Sequence, residues 1–138
     1  MAADLDFWAR AQAEPFEWGK NDCALWVASY IEVMTGYDPA KSLRGRYKTA
    51  LGCQRLLRKE GGLQALISRH MTRFEIGSDV GIYHFSGGEI CGIRKGDKVA
   101  LKTPDGLLVV PVEKQIVGWS ISRLVFQAVG VASASESP

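Results

Sequence analysis

The chain changes its sequence pattern once, near Met71, and this change constrains the fold more than any other feature. Before Met71, apolar residues recur every three or four positions, which is typical of α-helices that bury one face. After Met71, short β-type runs are separated by turn residues such as Ser86-Gly87-Gly88. Helices followed by strands predict an α+β domain, in which N-terminal helices pack on a C-terminal antiparallel β-meander.

The clearest predicted helix begins at Cys23 and ends before Gly36, with either Asn21 or Asp22 as its N-cap. Glu14-Pro15 ends a shorter helix before it, because the residue preceding a proline is disfavoured in the helical conformation. The predicted helices cover residues 3–12, 23–35, 49–59 and 63–70, and the predicted strands cover 79–85, 89–94, 98–102, 107–112 and 118–126.

Length and composition predict one globular domain. The chain has 138 residues, of which 46% are hydrophobic and 23% charged, as expected for a single packed core. We assign residues 1–126 to this domain. Residues 127–138 form a tail whose end, from Ala132, lacks core-forming residues. Such a tail is ordinarily disordered, and docking on a partner chain is the alternative.

Charge and hydropathy argue against two large classes of protein. The net charge is only +2 and the basic residues are scattered, so we predict no nucleic-acid partner. The N-terminal residues include Asp4 and Asp6 where a secretory signal would carry basic residues, and no apolar run reaches the length of a membrane span. We therefore expect synthesis in a cytoplasm, without a signal peptide or membrane insertion.

The three cysteines, Cys23, Cys53 and Cys91, are widely spaced and form no CxxC pair. This pattern argues against a disulfide framework and a zinc site, and no phosphate-binding, dinucleotide or carboxylate-cluster motif is present. We predict neither a cofactor nor a metal.

Cys23 is the strongest candidate for chemistry, because it opens the longest helix. Unpaired N–H groups and the helix dipole at that end favour a thiolate, which is the reactive form of cysteine. The alternative is a small buried apolar residue, since free cysteines are often buried.

The residues around Cys23 resemble a known motif. The segment is similar to the nucleophile motif of NlpC-type papain-like cysteine peptidases, which cleave peptidoglycan stem peptides. It consists of Phe16-Glu17-Trp18-Gly19, a short gap and Asp22-Cys23. Gly77-Ser78-Asp79-Val80 and Cys91-Gly92-Ile93 resemble that family's first two core strands. Small phage and prophage proteins of this fold, which are encoded among tail-tip components, have segments similar to Leu43–Tyr47 and a late tryptophan like Trp119. The gap after Gly19 is shorter than in the peptidases, and no serine-glycine pair follows Cys23.

The resemblance implies a papain-like fold with Cys23 as nucleophile, but Ile90 occupies the position of the family's histidine base. If the hairpin has Gly87 at its apex, His84 lies opposite Ile90 and becomes a candidate base. The alternative is a solvent-facing histidine, and His70 is interpreted as a helix-terminal charge partner.

Four further residues are candidates for substrate binding or site support: Trp18, Asp22, Arg44 and Arg46. The two arginines could bind a carboxylate through paired hydrogen bonds, and the alternative is a solvated loop.

Two functions follow from the resemblance. The first is a phage or prophage tail-tip protein with a degenerate catalytic dyad, which contacts other tail-tip or hub proteins in the virion tail. The second is an active peptidoglycan hydrolase that uses Cys23 and His84.

Overall fold

The computed structural model describes residues 2–124, apart from the side chains of residues 2, 3 and 122–124. The predicted tail, residues 127–138, lies outside the described residues. The elements are α1 (Ala2–Ala13), α2 (Cys23–Thr35), α3 (Ala50–Glu60), α4 (Leu63–His70), β1 (Phe74–Phe85), β2 (Gly88–Lys95), β3 (Lys98–Thr103), β4 (Gly106–Pro111) and β5 (Gln115–Leu124). The predicted α+β class is confirmed, with helices first and an antiparallel sheet second. None of the helices in this part of the chain is long and apolar enough to cross a bilayer.

Helix α2 begins and ends where its capping residues require. Asp22 has an extended backbone, and its carboxylate accepts a hydrogen bond from the Leu25 N–H at 3.1 Å. Gly36 ends the helix in the left-handed conformation, at φ 81°, and donates its N–H to the Glu32 carbonyl. Of the two N-caps that the sequence allowed, Asp22 is the cap, while the Asn21 side chain donates to the Pro15 carbonyl.

The sheet has the strand order β4-β3-β2-β1-β5, and all neighbouring strands are antiparallel. The predicted meander is confirmed for β1 to β4 and wrong for β5, which pairs with β1 instead of β4. The central part of β1, Val80–Tyr83, is buried, so its second edge needs a partner for its backbone N–H and C=O groups. β5 supplies that partner, and β1 is therefore an inner strand.

The hairpin between β1 and β2 differs from the register that placed His84 opposite Ile90. Ser86 and Gly87 both have positive φ, at 52° and 79°, as in the two-residue turns that suit the twist of a hairpin. With this turn His84 lies opposite Glu89, and Ile90 lies opposite Tyr83. The predicted register is therefore wrong by one residue.

Side chains of the sheet alternate between two apolar clusters. On the face toward α2, Ile82 and Cys91 pack with Val27 and Ile31 of the helix. On the opposite face, Ile90 packs beside Tyr83, Val99 and Leu101. The fold thus directs Cys91, and not Ile90, toward the start of α2.

Candidate functional site

Cys23 is the first residue of α2 and is half-buried against β2. Its sulfur lies within hydrogen-bonding reach of the Cys91 thiol, of the Cys91 backbone and of the Ala24 backbone. The Cys91 thiol donates to it, and this bond is the main cause that lowers the pKa of Cys23. Burial and the negative charge of Asp22 oppose the effect without cancelling it. The first of the causes that favour a thiolate at Cys23 is therefore Cys91, a partner that the sequence did not suggest.

Cys91 has the opposite character. It is buried, with 4% of its surface exposed, and its pKa is raised by the bond to Cys23 and by desolvation. Cys91 therefore keeps its proton and acts as a donor toward Cys23. Its place on the helix-facing side of β2 follows from the strand alternation, in which Cys91 and Ile93 face α2 together. That alternation was the one signal in the sequence that could have identified it.

Asp22 organises the loop that precedes the nucleophile position. Besides capping α2, its carboxylate accepts a hydrogen bond from the Gly19 N–H at 2.9 Å and one from the Tyr47 hydroxyl at 2.6 Å. The side chain is 1% exposed, so all three bonds form away from bulk water. Asp22 is thus a positioning residue, which holds Gly19, Tyr47 and the start of α2 together.

Tyr47 extends this network to the third cysteine. Its hydroxyl lies close to the Cys53 thiol, and burial together with the bond to Asp22 raises the pKa of Tyr47 far above its ordinary value. Burial and the charge of Asp22 also raise the pKa of Cys53. Three cysteines that are distant in sequence therefore line one site, which their spacing along the chain did not predict.

An apolar cavity of about 320 Å³ adjoins Cys23. It lies between α2, α3, α4 and the sheet, and all three cysteines line it, with Trp18 and Trp119. Its other walls are mostly aliphatic side chains, including Val27, Leu57, Leu66, Ile67 and Val80. The volume is at the lower end of the range for small-ligand sites, about 300–1,000 Å³. In residues 2–124 no cluster of three or more His, Cys, Asp and Glu side chains is arranged to hold a metal.

Neither of the two histidines of the chain is among the groups that shift the pKa of Cys23. His84 is exposed, does not line the cavity and lies beside the hairpin turn. His70 does line the cavity, and its Nδ1 lies 3.1 Å from the Pro39 carbonyl. Because a carbonyl only accepts, Nδ1 carries the proton there, and a neutral ring has a bare Nε2. His70 thus has more contact with the site than the sequence suggested.

Of the remaining predicted site residues, Trp18 and Arg44 are half-buried and Arg46 is exposed. Trp18 packs edge-on against Phe16, with ring centroids 4.8 Å apart, at the cavity wall. Arg44 forms a two-point ion pair with Asp38, at 2.8 and 3.1 Å, and also donates to Ser29. Its donors therefore stabilise the loop after α2. Arg46 is exposed, and its side chain lies in the solvated loop that was the alternative interpretation.

Residues 3–121 match the model of a family described as a domain of unknown function, DUF6950. The chain belongs to this family. The match covers the four helices and the sheet as far as Ile121, so the Cys23–Cys91 site lies wholly within the family domain. No curated protein and no solved structure matches the sequence.

Proposed function

We propose that this DUF6950 protein has an NlpC-like papain fold without hydrolytic activity, and that it serves as a tail-tip component of a phage or prophage. One observation supports the absence of hydrolytic activity. The side chain that contacts Cys23 from the sheet is the Cys91 thiol, where a cysteine peptidase needs an imidazole.

Peptide hydrolysis requires a group that takes the nucleophile's proton and returns it to the leaving amine. Cys91 cannot fill this role near neutral pH, because its raised pKa keeps it protonated. Ile90, in the position of the family's base, packs on the opposite face of the sheet, and His84 is exposed beside the hairpin turn. A thiolate at Cys23 whose neighbour does not both take up and return a proton supports binding or assembly over peptide turnover.

The assembly role rests on the resemblance of Trp18-Gly19, Asp22-Cys23 and Leu43–Tyr47 to tail-tip-associated proteins of this fold. In this proposal the chain is made in the bacterial cytoplasm and joins other tail-tip or hub proteins in the virion, and the wall-facing end of the tail brings it near peptidoglycan stem peptides.

Purified peptidoglycan tests the hydrolytic half of the proposal. The protein and its Cys23→Ala variant should release equal, background amounts of new amino groups. Release that is lost in Cys23→Ala would establish the alternative function, a peptidoglycan hydrolase. In that event His84→Ala and His70→Ala identify the base, since one is the predicted candidate and the other lines the cavity.

Deletion of the gene from the phage or prophage that carries it tests the assembly half. The mutant should produce particles with incomplete or missing tail tips, and the Cys23→Ala protein supplied in trans should restore them. Infective, complete particles without the protein, or a gene outside any phage or prophage, would exclude the tail-tip role.

A further inference from the structure

The contact between Cys23 and Cys91 brings two thiols of opposite character together. Cys23 lies at the start of α2 on the wall of the cavity and is half-buried, whereas Cys91 lies behind it on β2 with 4% of its surface exposed. Both side chains line the cavity, and the two thiols lie near enough for each to shift the pKa of the other. A reagent in the cavity meets the less buried thiol, Cys23, more readily than Cys91.

We propose that Cys23 and Cys91 form a reversible dithiol–disulfide pair that exchanges with small disulfides such as glutathione disulfide. The Cys23 thiolate attacks one sulfur of the small disulfide, forms a mixed disulfide and releases one glutathione thiolate, which takes up a proton. In the mixed disulfide the Cys23 sulfur carries no charge, so the main cause of the raised Cys91 pKa is gone; the Cys91 thiol then loses its proton to water and attacks the Cys23 sulfur. A Cys23–Cys91 disulfide forms and the second glutathione leaves as a thiol, so two electrons pass from the protein to the small disulfide.

The order of attack follows from access and thiolate character. Exchange begins at the thiol that is exposed and most readily ionised, and the buried partner resolves the mixed disulfide. The lowered pKa of Cys23 and the raised pKa of Cys91 support this assignment. Once formed, the disulfide removes the Cys23 thiolate, so oxidation would abolish any chemistry or labelling that depends on it.

Cys53 is the other cysteine that could pair with Cys23, and it serves as an internal control. It lines the same cavity, but the hydroxyl of Tyr47 lies beside it, and Tyr47 in turn bonds to Asp22. No direct bond joins Cys53 to Cys23, although the two are near enough for the charge of one to raise the pKa of the other. We therefore assign the pair to Cys23 and Cys91, and Cys53 remains a free thiol after oxidation.

Oxidation of the full chain by glutathione disulfide tests this proposal. Ellman's reagent in denaturant should count three thiols in the reduced protein and one after oxidation, and non-reducing peptide mapping should join the peptides of Cys23 and Cys91. Cys53→Ser is the matched control, and it should form the same disulfide at an unchanged rate. Cys91→Ser should stop at a glutathionylated Cys23, and Cys23→Ser should react at least tenfold more slowly.

Two results would overturn the proposal. One is a protein that keeps three thiols or stays glutathionylated at Cys23 when Cys91 is present. The other is a disulfide that involves Cys53. Because mapping of the unaltered protein and of Cys53→Ser decides both outcomes, the test does not depend on whether the Cys91 variant folds.

Discussion

Asp22→Asn should lower stability and raise the reactivity of Cys23 at the same time. The substitution keeps the size and shape of the side chain and removes its charge. An asparagine oxygen can still cap α2 through the Leu25 N–H, so the helix start is preserved. The other carboxylate oxygen becomes an NH₂ group, which now points at two donors, the Gly19 N–H and the Tyr47 hydroxyl.

The loss can be estimated bond by bond. The Gly19 N–H is buried and loses a charged acceptor, which costs about 1.5–3 kcal/mol. The Tyr47 hydroxyl is half-buried and can rotate to accept a hydrogen bond from the new NH₂ group, so its loss is roughly 1 kcal/mol or less. The free energy of unfolding should therefore fall by about 1.5–4 kcal/mol. The Cys23 pKa should also fall, because the charge of Asp22 raises it in the unaltered protein.

Urea denaturation and iodoacetamide labelling across pH measure the two effects. Asp97→Asn is the matched control, since Asp97 is exposed in a turn and its loss should change stability by about 0.5 kcal/mol or less. The labelling midpoint of Cys23 should lie below the ordinary value of about 8.5 in the unaltered protein and lower still in Asp22→Asn. Unchanged stability, or a midpoint that rises, would refute the proposed role of Asp22.

Three further predictions follow from single contacts. Cys91→Ala removes the largest cause of the lowered Cys23 pKa, so the pH midpoint of Cys23 labelling should rise. For a midpoint above neutral pH, each unit of rise reduces the thiolate fraction at neutral pH about tenfold. An unchanged midpoint would contradict the contact between Cys23 and Cys91. Gly19→Ala should destabilise the protein by at least about 2 kcal/mol more than Gly87→Ala. Both glycines have positive φ, but a Cβ at Gly19 would lie 1.8 Å from the Tyr47 carbonyl oxygen, and a Cβ at Gly87 meets nothing within 4 Å; equal losses in urea denaturation would exclude this clash. Lys102→Met should lower the free energy of unfolding by about 1–3 kcal/mol, because the buried ammonium donates to the carbonyls of Ala11 and Glu14 at the end of α1. Lys98→Met is the control, since Lys98 is exposed on the same strand and its substitution should be near neutral. Equal effects of the two substitutions would argue against this role of Lys102.

Local chemistry made most of the elements predictable. The apolar spacing after Cys23 and the glycine at position 36 predicted both ends of α2, and the four helices and the middle three strands lie close to the predicted segments. β1 and β5 begin at Phe74 and Gln115, five and three residues before the predicted starts at 79 and 118. Strand pairing and hairpin register were harder to predict from the sequence. The pairing of β5 with β1 depends on which edge of a buried strand remains unpaired, and the hairpin register depends on the backbone angles of Ser86 and Gly87. Neither is encoded by periodicity alone.

The site shows the same division between local and long-range information. Cys23 and Asp22 were predictable, because a thiol and a capping carboxylate at a helix start are sequence neighbours. The roles of Cys91, Tyr47 and Cys53 depend on how β2 and the loop before α3 approach α2, and the predicted register directed attention to His84 instead.

The motif around Cys23 can be separated into residues that folding alone requires and one that it does not. Gly19 is required by the close Tyr47 carbonyl, Asp22 by its three hydrogen bonds, and Trp18 by its packing on Phe16. A serine or alanine would start the helix as well as Cys23 does, since the cap is supplied by Asp22. Packing therefore accounts for the resemblance at every one of these positions except the cysteine. What the thiol adds to this position is its chemistry, and the group that meets it from the sheet is a second thiol. For this reason we place the function of the site in the Cys23–Cys91 pair and not in a cysteine–histidine dyad.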